Sequence, residues 1–442
     1  MLLQELKNLL QQSGIIGAGG AGFPSHAKLA EGADVLALNC AECEPLIYTD
    51  YMLMREHLAK IARGATLVME AAGIAQTLVC IKAHRAEMLG LAEGDEISPR
   101  VRVKLLPDAY PMGDEINLIY EATGRVVKPG QLPITKGVIV LNGETVYNIA
   151  LAADEGKPVT EKWVTIGGNI ENRRVVRVPV GMRVADLFRK LNITVPEGHT
   201  VLDGGPSMGR KIRVATAVIG KTTKSLLILP DASPAIAHKN IAMADMLRRA
   251  ASCCCGCSRC TEMCPRHLLG YPLEPHKMIR AANNDLAKRN PELVKTASLC
   301  CSCGVCAEVC CQDISPKDVI LNLKGILAQN KMRYVAGEEE YKLHEDRKHR
   351  LIPSSRWETM LGVHKFDVVP ELIEAPLTAA RVEIPTTGHI GAPSIPAVQV
   401  GDTVKAGDVI AAAAAGLSMP QHASIDGTVT YVDEKKIIIE NK

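Results

Sequence analysis

The chain has 442 residues, with 51 basic and 49 acidic side chains and a formal net charge of +2. That length exceeds what one hydrophobic core organises, and it predicts about three or four domains. No basic block stands out and aromatic residues make up only 3% of the chain, which argues against nucleic acid as a partner. The longest apolar run, near Val409 to Leu417, is mostly alanine and is far shorter than the roughly 20 residues a membrane span needs.

Leu2, Leu3, Leu6, Leu9 and Leu10 share one face of a predicted N-terminal helix. This segment has no basic start and no small-residue cleavage site, so it does not read as a secretory signal. Its expected role is to cap the domain that follows, ahead of a role as an encapsulation tag. Gly17 to Pro24 reads GAGGAGFP, in which Gly17, Gly19 and Gly22 satisfy G-x-G-x-x-G. A Rossmann fingerprint needs a strand in front of it; here a helix precedes, and that reading fails. Glycines without side chains still let backbone amides approach a phosphate or a planar ring. VLALNCAECEP (Val35 to Pro45) is a short apolar strand ending in an acidic turn. A helix from about Asp50 to Ala72 follows. Then come strands TLVCIKAH and VRVKLLPD, helix GDEINLIYEATG, strand GVIVLN and a helix after Glu144. This alternation predicts an α/β layer domain.

Residues from about Lys162 to Pro230 predict strand, strand, helix, strand, strand, with DGGPSMG (Asp203 to Gly209) read as a packing turn. The cysteines follow. Of 15 in the chain, 12 lie between Cys253 and Cys311, a density that points to metal. Two runs carry C-x2-C-x2-C-x3-C: Cys254, Cys257, Cys260, Cys264, then Pro265; and Cys300, Cys303, Cys306, Cys310. Structural zinc usually takes two separated C-x2-C pairs, so two complete runs favour two [4Fe–4S] clusters. In two-cluster ferredoxins the fourth cysteine of each run serves the other cluster. That rule predicts Cys254, Cys257, Cys260 and Cys310 on one cluster, and Cys300, Cys303, Cys306 and Cys264 on the other. Spacing gives Cys253, Cys255, Cys301 and Cys311 no ligand role, and Cys311 stands where the second run should have Pro. LEPHKMIRAANNDLAKRNPELVKTAS between the runs has helical periodicity with Pro291 as a break, which favours a helical ferredoxin-like domain over a ββ type. Finally, VQVGDTVKAGDVIAAA and HASIDGTVTYVD resemble the two halves of a lipoyl or biotinyl barrel-sandwich hybrid. No lysine lies between Lys405 and Lys435, so neither carrier group can be attached.

Five motifs in order, GAGGAGFP, Lys28, NCAECEP, YPMGDE (Tyr110 to Glu115) and LNGET (Leu141 to Thr145), resemble the flavin subunit of respiratory complex I and its relatives. Those relatives include the RnfC component of the Rnf electron-transport complex and the cobalamin reductases of propanediol-utilisation microcompartments. The resemblance implies a multidomain α/β protein. An FMN/NADH-binding α/β domain would occupy 1–160 and a β-grasp (SLBB) domain 161–232. A helical ferredoxin-like domain with two [4Fe–4S] clusters would occupy 233–345, and a linker plus barrel-sandwich hybrid 346–442. It further implies that Gly17, Gly19, Gly20, Lys28, Asn39, Glu42, Tyr110, Gly113, Asp114 and Asn142 line FMN, with Phe23 and Glu44 on the nicotinamide side. The chain departs from the complex I pattern at Ala18, where that family has Arg, and at Ala41, where it has Asp.

Module order narrows the resemblance. In RnfC, a HIGAP-type motif precedes the flavin domain. Here HIGAP (His389 to Pro393) follows the cysteines, the order of the cobalamin reductases. The implied route runs from NADH through FMN and two clusters to a corrinoid, with an adenosyltransferase docked nearby. The implied setting is the cytoplasm, inside a bacterial microcompartment whose shell or enzymes are candidate partners. No D-x-H-x-x-G corrinoid motif is present: around His389, Thr387 replaces the Asp and Ala392 the Gly. The alternatives are an NADH-dependent ferredoxin or flavodoxin reductase of another microcompartment, or an Rnf-like component.

Overall fold

The computed structural model describes residues 1–283, 290–338 and 340–441. Its first sheet contains β1 (Val35–Asn39), β2 (Gln76–Lys82), β3 (Glu96–Ser98), β4 (Val101–Leu106) and β6 (Val138–Asn142), in the order β3-β4-β2-β1-β6. Between β4 and β6 lies the two-residue β5 (Ala109–Tyr110). β1 is parallel to both neighbours, β2 and β6, so its VLAL run is buried on both faces, as a central parallel strand requires. Helices α1 (Leu3–Gln12), α2 (Thr49–Ala72), α3 (Ala83–Met88), α4 (Glu115–Thr123) and α5 (Gly143–Glu155) complete this layer. One core joins Leu6 and Leu10 of α1 to α2, α5 and the sheet, so α1 caps the domain as its leucine stripe predicts, although Leu2 stays exposed. On the opposite face Ile116, Leu118 and Ile119 of α4 pack with Leu269, Tyr271 and Leu299. The cysteine region is thereby docked on the α4 side.

The second sheet holds β7 (Glu161–Gly168), β8 (Arg174–Pro179), β9 (His199–Asp203), β10 (Arg210–Ile212) and β11 (Ser225–Pro230), with α6 (Val184–Lys190) between β8 and β9. The predicted order of elements is present, with β10 added. From 233 to 338 the described residues contain helices and no strand. Pro291 occupies the first turn of a helix over Pro291–Lys295, where its missing N–H is no loss; the helical reading of residues 284–289 lies outside the described residues.

The stretch expected as a linker does more than connect. β12 (Ile352–Pro353) pairs antiparallel with β5, and β13 (Glu371–Ile373) extends the second sheet alongside β8. The C-terminal module has two small sheets, one of Arg381–Pro385, Thr403–Val404, Gly427–Val432 and Lys436–Glu440, the other of Ile395–Pro396, Val409–Ala412 and Gln421–His422. Its Val382, Ile410, Val429 and Ile439 share one core with Val164, Val176 and Leu226 of the second sheet. Among the described residues no helix is long and apolar enough to cross a membrane.

Candidate functional site

β1 and β6 end side by side, with Asn39 paired to Asn142, at the carboxyl edge where open α/β sheets hold ligands. Asn39 Nδ2 donates to the Gly113 carbonyl at 2.9 Å, and Asn142 Nδ2 donates to the Asn39 carbonyl at 3.0 Å. The glycine loop arches over this pair: a Cβ on Gly19 would stand 3.8 Å from the Asn142 Cβ. Gly20 has φ +105° and no neighbour within 4 Å, a conformation suited to glycine. The Gly17 amide donates to the Phe23 carbonyl at 2.8 Å, closing the loop, and the buried Ala18 donates its amide to Thr145 Oγ1 at 3.0 Å. Lys28 Nζ binds Glu115 Oε1 at 2.8 Å and the Val140 carbonyl at 3.2 Å. Asp114 caps α4 through the Asn117 amide and receives Arg266 at 2.6 Å. Gly17, Gly19, Gly20, Lys28, Asn39, Gly113, Asp114 and Asn142 are thus brought to one sheet edge, with Phe23 at the loop base. Ala18 and Ala41 are both buried.

Glu42, Glu44 and Tyr110 carry other contacts. The Glu42 carboxylate accepts from Asp50 N at 2.7 Å, Tyr51 N at 3.3 Å and Thr49 Oγ1 at 3.0 Å, and so satisfies the free amides at the start of α2. Burial, with Asp50 close by, pushes its pKa up. Asp50 in turn pairs with Lys224 at 2.5 Å, a residue of the second sheet's domain. Glu44 accepts from Ser207 N at 2.8 Å and lies 2.9 Å from the Tyr110 hydroxyl, which binds it to DGGPSMG. Tyr110 OH also reaches the Cys303 carbonyl at 2.6 Å. Trp357, Lys224, Arg266 and Ser207 were not singled out from sequence. Arg266 had a local signal, its place two residues after Cys264, and Ser207 lies within the DGGPSMG turn.

The two cysteine runs share a backbone. In Cys254–Cys260 the third and fifth positions, Gly256 and Ser258, have φ +68° and +57°; in Cys300–Cys306 the same positions, Ser302 and Gly304, have +64° and +88°. Each loop therefore turns twice through the left-handed region, and the Ser302 amide points at Cys300 Sγ at 3.3 Å. Cys264 lies near Cys301 and Cys300, while Cys303 has Cys301, Cys264 and Cys306 around it. Cys260 lies near Cys310, Cys257 and Cys254. Cys264 is thus beside the second run and Cys310 beside the first, while Cys306 also has Cys260 near it. Cys264, Cys300, Cys301, Cys303 and Cys306, together with Arg266 and Lys317, line a small cavity of about 10 Å³. Burial pushes the Cys260 and Cys264 thiols up to about 12, so without a metal they are neutral; iron would have to displace their protons. Clustered soft thiol donors fit iron–sulfur clusters. The surplus thiols Cys255 and Cys311 are exposed, 3.8 Å apart and grouped with Cys257.

Residues 10–151 match the Nuo51 FMN-binding domain, 253–315 a 4Fe-4S dicluster domain, and 363–442 the RnfC barrel sandwich hybrid domain. The cobalamin reductase PduS of Salmonella typhimurium is 35% identical over 441 residues, covering 98% of this chain and 96% of that protein. The chain belongs to the PduS family. Its Citrobacter freundii member is likewise 35% identical, over 99% of this chain and 96% of that protein. One component of the Na(+)-translocating ferredoxin:NAD(+) oxidoreductase complex of Acetobacterium woodii is 31% identical over 60% of this chain and 58% of its own length. Among solved structures, an NAD+-reducing [NiFe]-hydrogenase in the H2-reduced state aligns with 79% of this chain and 63% of its own, at TM-score 0.46 and 16% identity.

Proposed function

We propose that this PduS family member is a flavin and iron–sulfur oxidoreductase that passes electrons from NADH to a corrinoid. The observation that carries this reading is whole-length similarity to cobalamin reductases, joined to a glycine cradle and two cysteine sets in one chain. FMN, where bound, takes up the two electrons of a hydride together and gives them on singly, which a [4Fe–4S] cluster requires. Gly17, Gly19 and Gly20 offer amides with no side chain in the way, Asn39 and Asn142 form the floor, and Lys28 supplies positive charge. Tyr110, Gly113 and Asp114 form the wall toward the cysteines, Glu42 holds the acidic turn against α2, and Phe23 and Glu44 flank the nicotinamide side. Cys254, Cys257, Cys260 and Cys310 would hold one cluster; Cys264, Cys300, Cys303 and Cys306 would hold the other. The division into 1–160, 161–232, 233–345 and 346–442, with a β-grasp fold for the second part, is supported by the first sheet, which lies within 1–160, and by the helical character of the described cysteine region, while β13 of the last part joins the second sheet. A cytoplasmic microcompartment setting, with shell or adenosyltransferase as neighbours, rests on kinship alone.

The test begins with the flavin, iron and acid-labile sulfide content of anaerobically purified protein, expected at about one FMN and about eight irons per chain, as two cubanes imply. NADH-driven reduction of cob(II)alamin is then compared with that of ferredoxin. Rapid ferredoxin reduction with no corrinoid reduction overturns the assignment of the acceptor. About four irons, or stoichiometric zinc, overturns the two-cluster reading.

A further inference from the structure

The two cysteine sets differ in their surroundings. Cys264, Cys303 and Cys306 are buried and Cys300 half-buried; in the other set only Cys260 is buried, Cys254 and Cys310 are half-buried, Cys257 is exposed, and Cys253, Cys255 and Cys311 around them are exposed. The buried set is also the one tied to the flavin domain. Arg266, next to Pro265, is paired with Asp114, and the Tyr110 hydroxyl meets the Cys303 carbonyl. Tyr110 is 2% exposed and stacks face to face on Trp357, which is 0% exposed, with ring centroids 4.4 Å apart and planes 9° apart. Trp357 Nε1 donates to Ser207 Oγ at 3.0 Å, and Ser207 N holds Glu44. Trp357 falls between residues 315 and 363, outside all three matched domains.

We propose that Trp357 is a positioning residue for electron transfer: by clamping Tyr110 between the Gly113 loop and Cys303, it makes the Cys264/Cys300/Cys303/Cys306 site the first stop after the flavin and leaves the more accessible Cys254/Cys257/Cys260/Cys310 site as the exit. This rests on the flavin and two-cluster reading above. In balance, NADH gives two electrons and releases NAD+ and one proton; the electrons cross the Tyr110 contact one at a time and reduce two equivalents of a one-electron acceptor. The physical basis is packing. A stacked pair with no gap and fixed hydrogen bonds holds one distance and one contact path, whereas an aliphatic side chain in place of the indole loses the stack and frees Tyr110.

Two measurements decide it. In the first, dithionite-reduced protein is examined by EPR with a redox titration, so that NADH plays no part. Tyr110→Phe removes the hydroxyl at the Cys303 carbonyl and is expected to shift only the signal that Cys300→Ala abolishes. A shift confined to the signal lost in Cys254→Ala, or no shift, overturns the proposed contact. In the second, bleaching of the clusters by NADH is followed in Trp357→Leu and Trp357→Phe at verified flavin and iron content. Leu is expected to slow it several-fold and Phe to restore most of the rate. Equal rates in both variants and the parent chain overturn the role of Trp357, as does bleaching of the remaining cluster in Cys300→Ala but not in Cys254→Ala. If NADH bleaches neither flavin nor cluster in the parent chain, the NADH reading fails, and the EPR result still decides whether the Tyr110 contact serves the buried cluster.

Discussion

Ser258 and Ser302 sit in left-handed backbone, which costs an L residue roughly 1–2 kcal/mol. The left-handed backbone recurs at the third and fifth positions of both cysteine loops, with Gly256 and Gly304 at the places where the other loop has serine, so it belongs to the loop geometry. The cysteines are expected to behave accordingly. Cys254→Ala and Cys300→Ala should each remove about four of about eight irons, since each breaks one cubane. Cys253→Ser and Cys311→Ser should remove none. Iron and sulfide analysis of the four variants checks this, and a loss in Cys311→Ser would bring the exposed thiol group around Cys257 into the ligand set. The two cysteine runs were legible in the sequence because their spacing is a local property of the chain. Trp357 was not, because its partners Tyr110 and Ser207 lie 247 and 150 residues away and no periodicity announces such a contact.

At the scale of elements, the alternation of strands and helices from β1 to α5 was readable because each is long enough to show its period. β12 and β13 were not: at two and three residues a strand has no pattern, and only the sheets they join define them. The glycine loop was readable as a cradle from composition, and its place over Asn142 comes from the fold. Gly19→Val should therefore abolish flavin binding while leaving both clusters in place. The site is exposed and the nearest atoms to an added Cβ are 3.8 Å away, so the branched side chain fits the apo fold and obstructs only the approach to the amides. Absorbance of flavin against iron content measures this; full flavin in the variant would place the site elsewhere. α1 yields a second expectation. Leu6 and Leu10 are buried in the first core, so residues 1–14 fused to a reporter should not direct it into a microcompartment shell. Efficient targeting by that peptide alone would reverse the reading of α1 as a cap.

Three modules of the molecule meet at one amine. Lys221, on the way into β11, donates Nζ to the Gly14 carbonyl at 3.1 Å and to the Pro420 carbonyl at 3.4 Å. It thereby joins the segment ahead of the glycine loop to the C-terminal module. The same junction presses Gly388–Ile390 onto that loop, with the Ile390 amide on the Gly22 carbonyl at 2.9 Å. The C-terminal module thus stays with the flavin domain although it holds no carrier lysine. Burial with no carboxylate at hand lowers the Lys221 pKa from the ordinary 10.5 to about 7. The titratable groups facing it are His422, lowered to about 4 by burial and then by Lys221, and His389, also lowered chiefly by burial. The sign follows from proton counts: between pH 7 and 10.5 the unfolded chain holds this proton more tightly than the folded one, so stability rises with pH there. It is lost as pH falls through 7, because the folded state must then accommodate a buried ammonium. His422 acts in the same direction, its contribution being lost as pH falls through about 4. Lys221→Met keeps the length of the side chain and removes both the charge and the two hydrogen bonds. The parent chain should therefore gain apparent melting temperature relative to Lys221→Met between about pH 6.5 and about pH 9.5, measured anaerobically at matched iron and flavin content. A difference that stays constant over that range would mean that Lys221 remains charged throughout and that its role at the junction is hydrogen bonding alone.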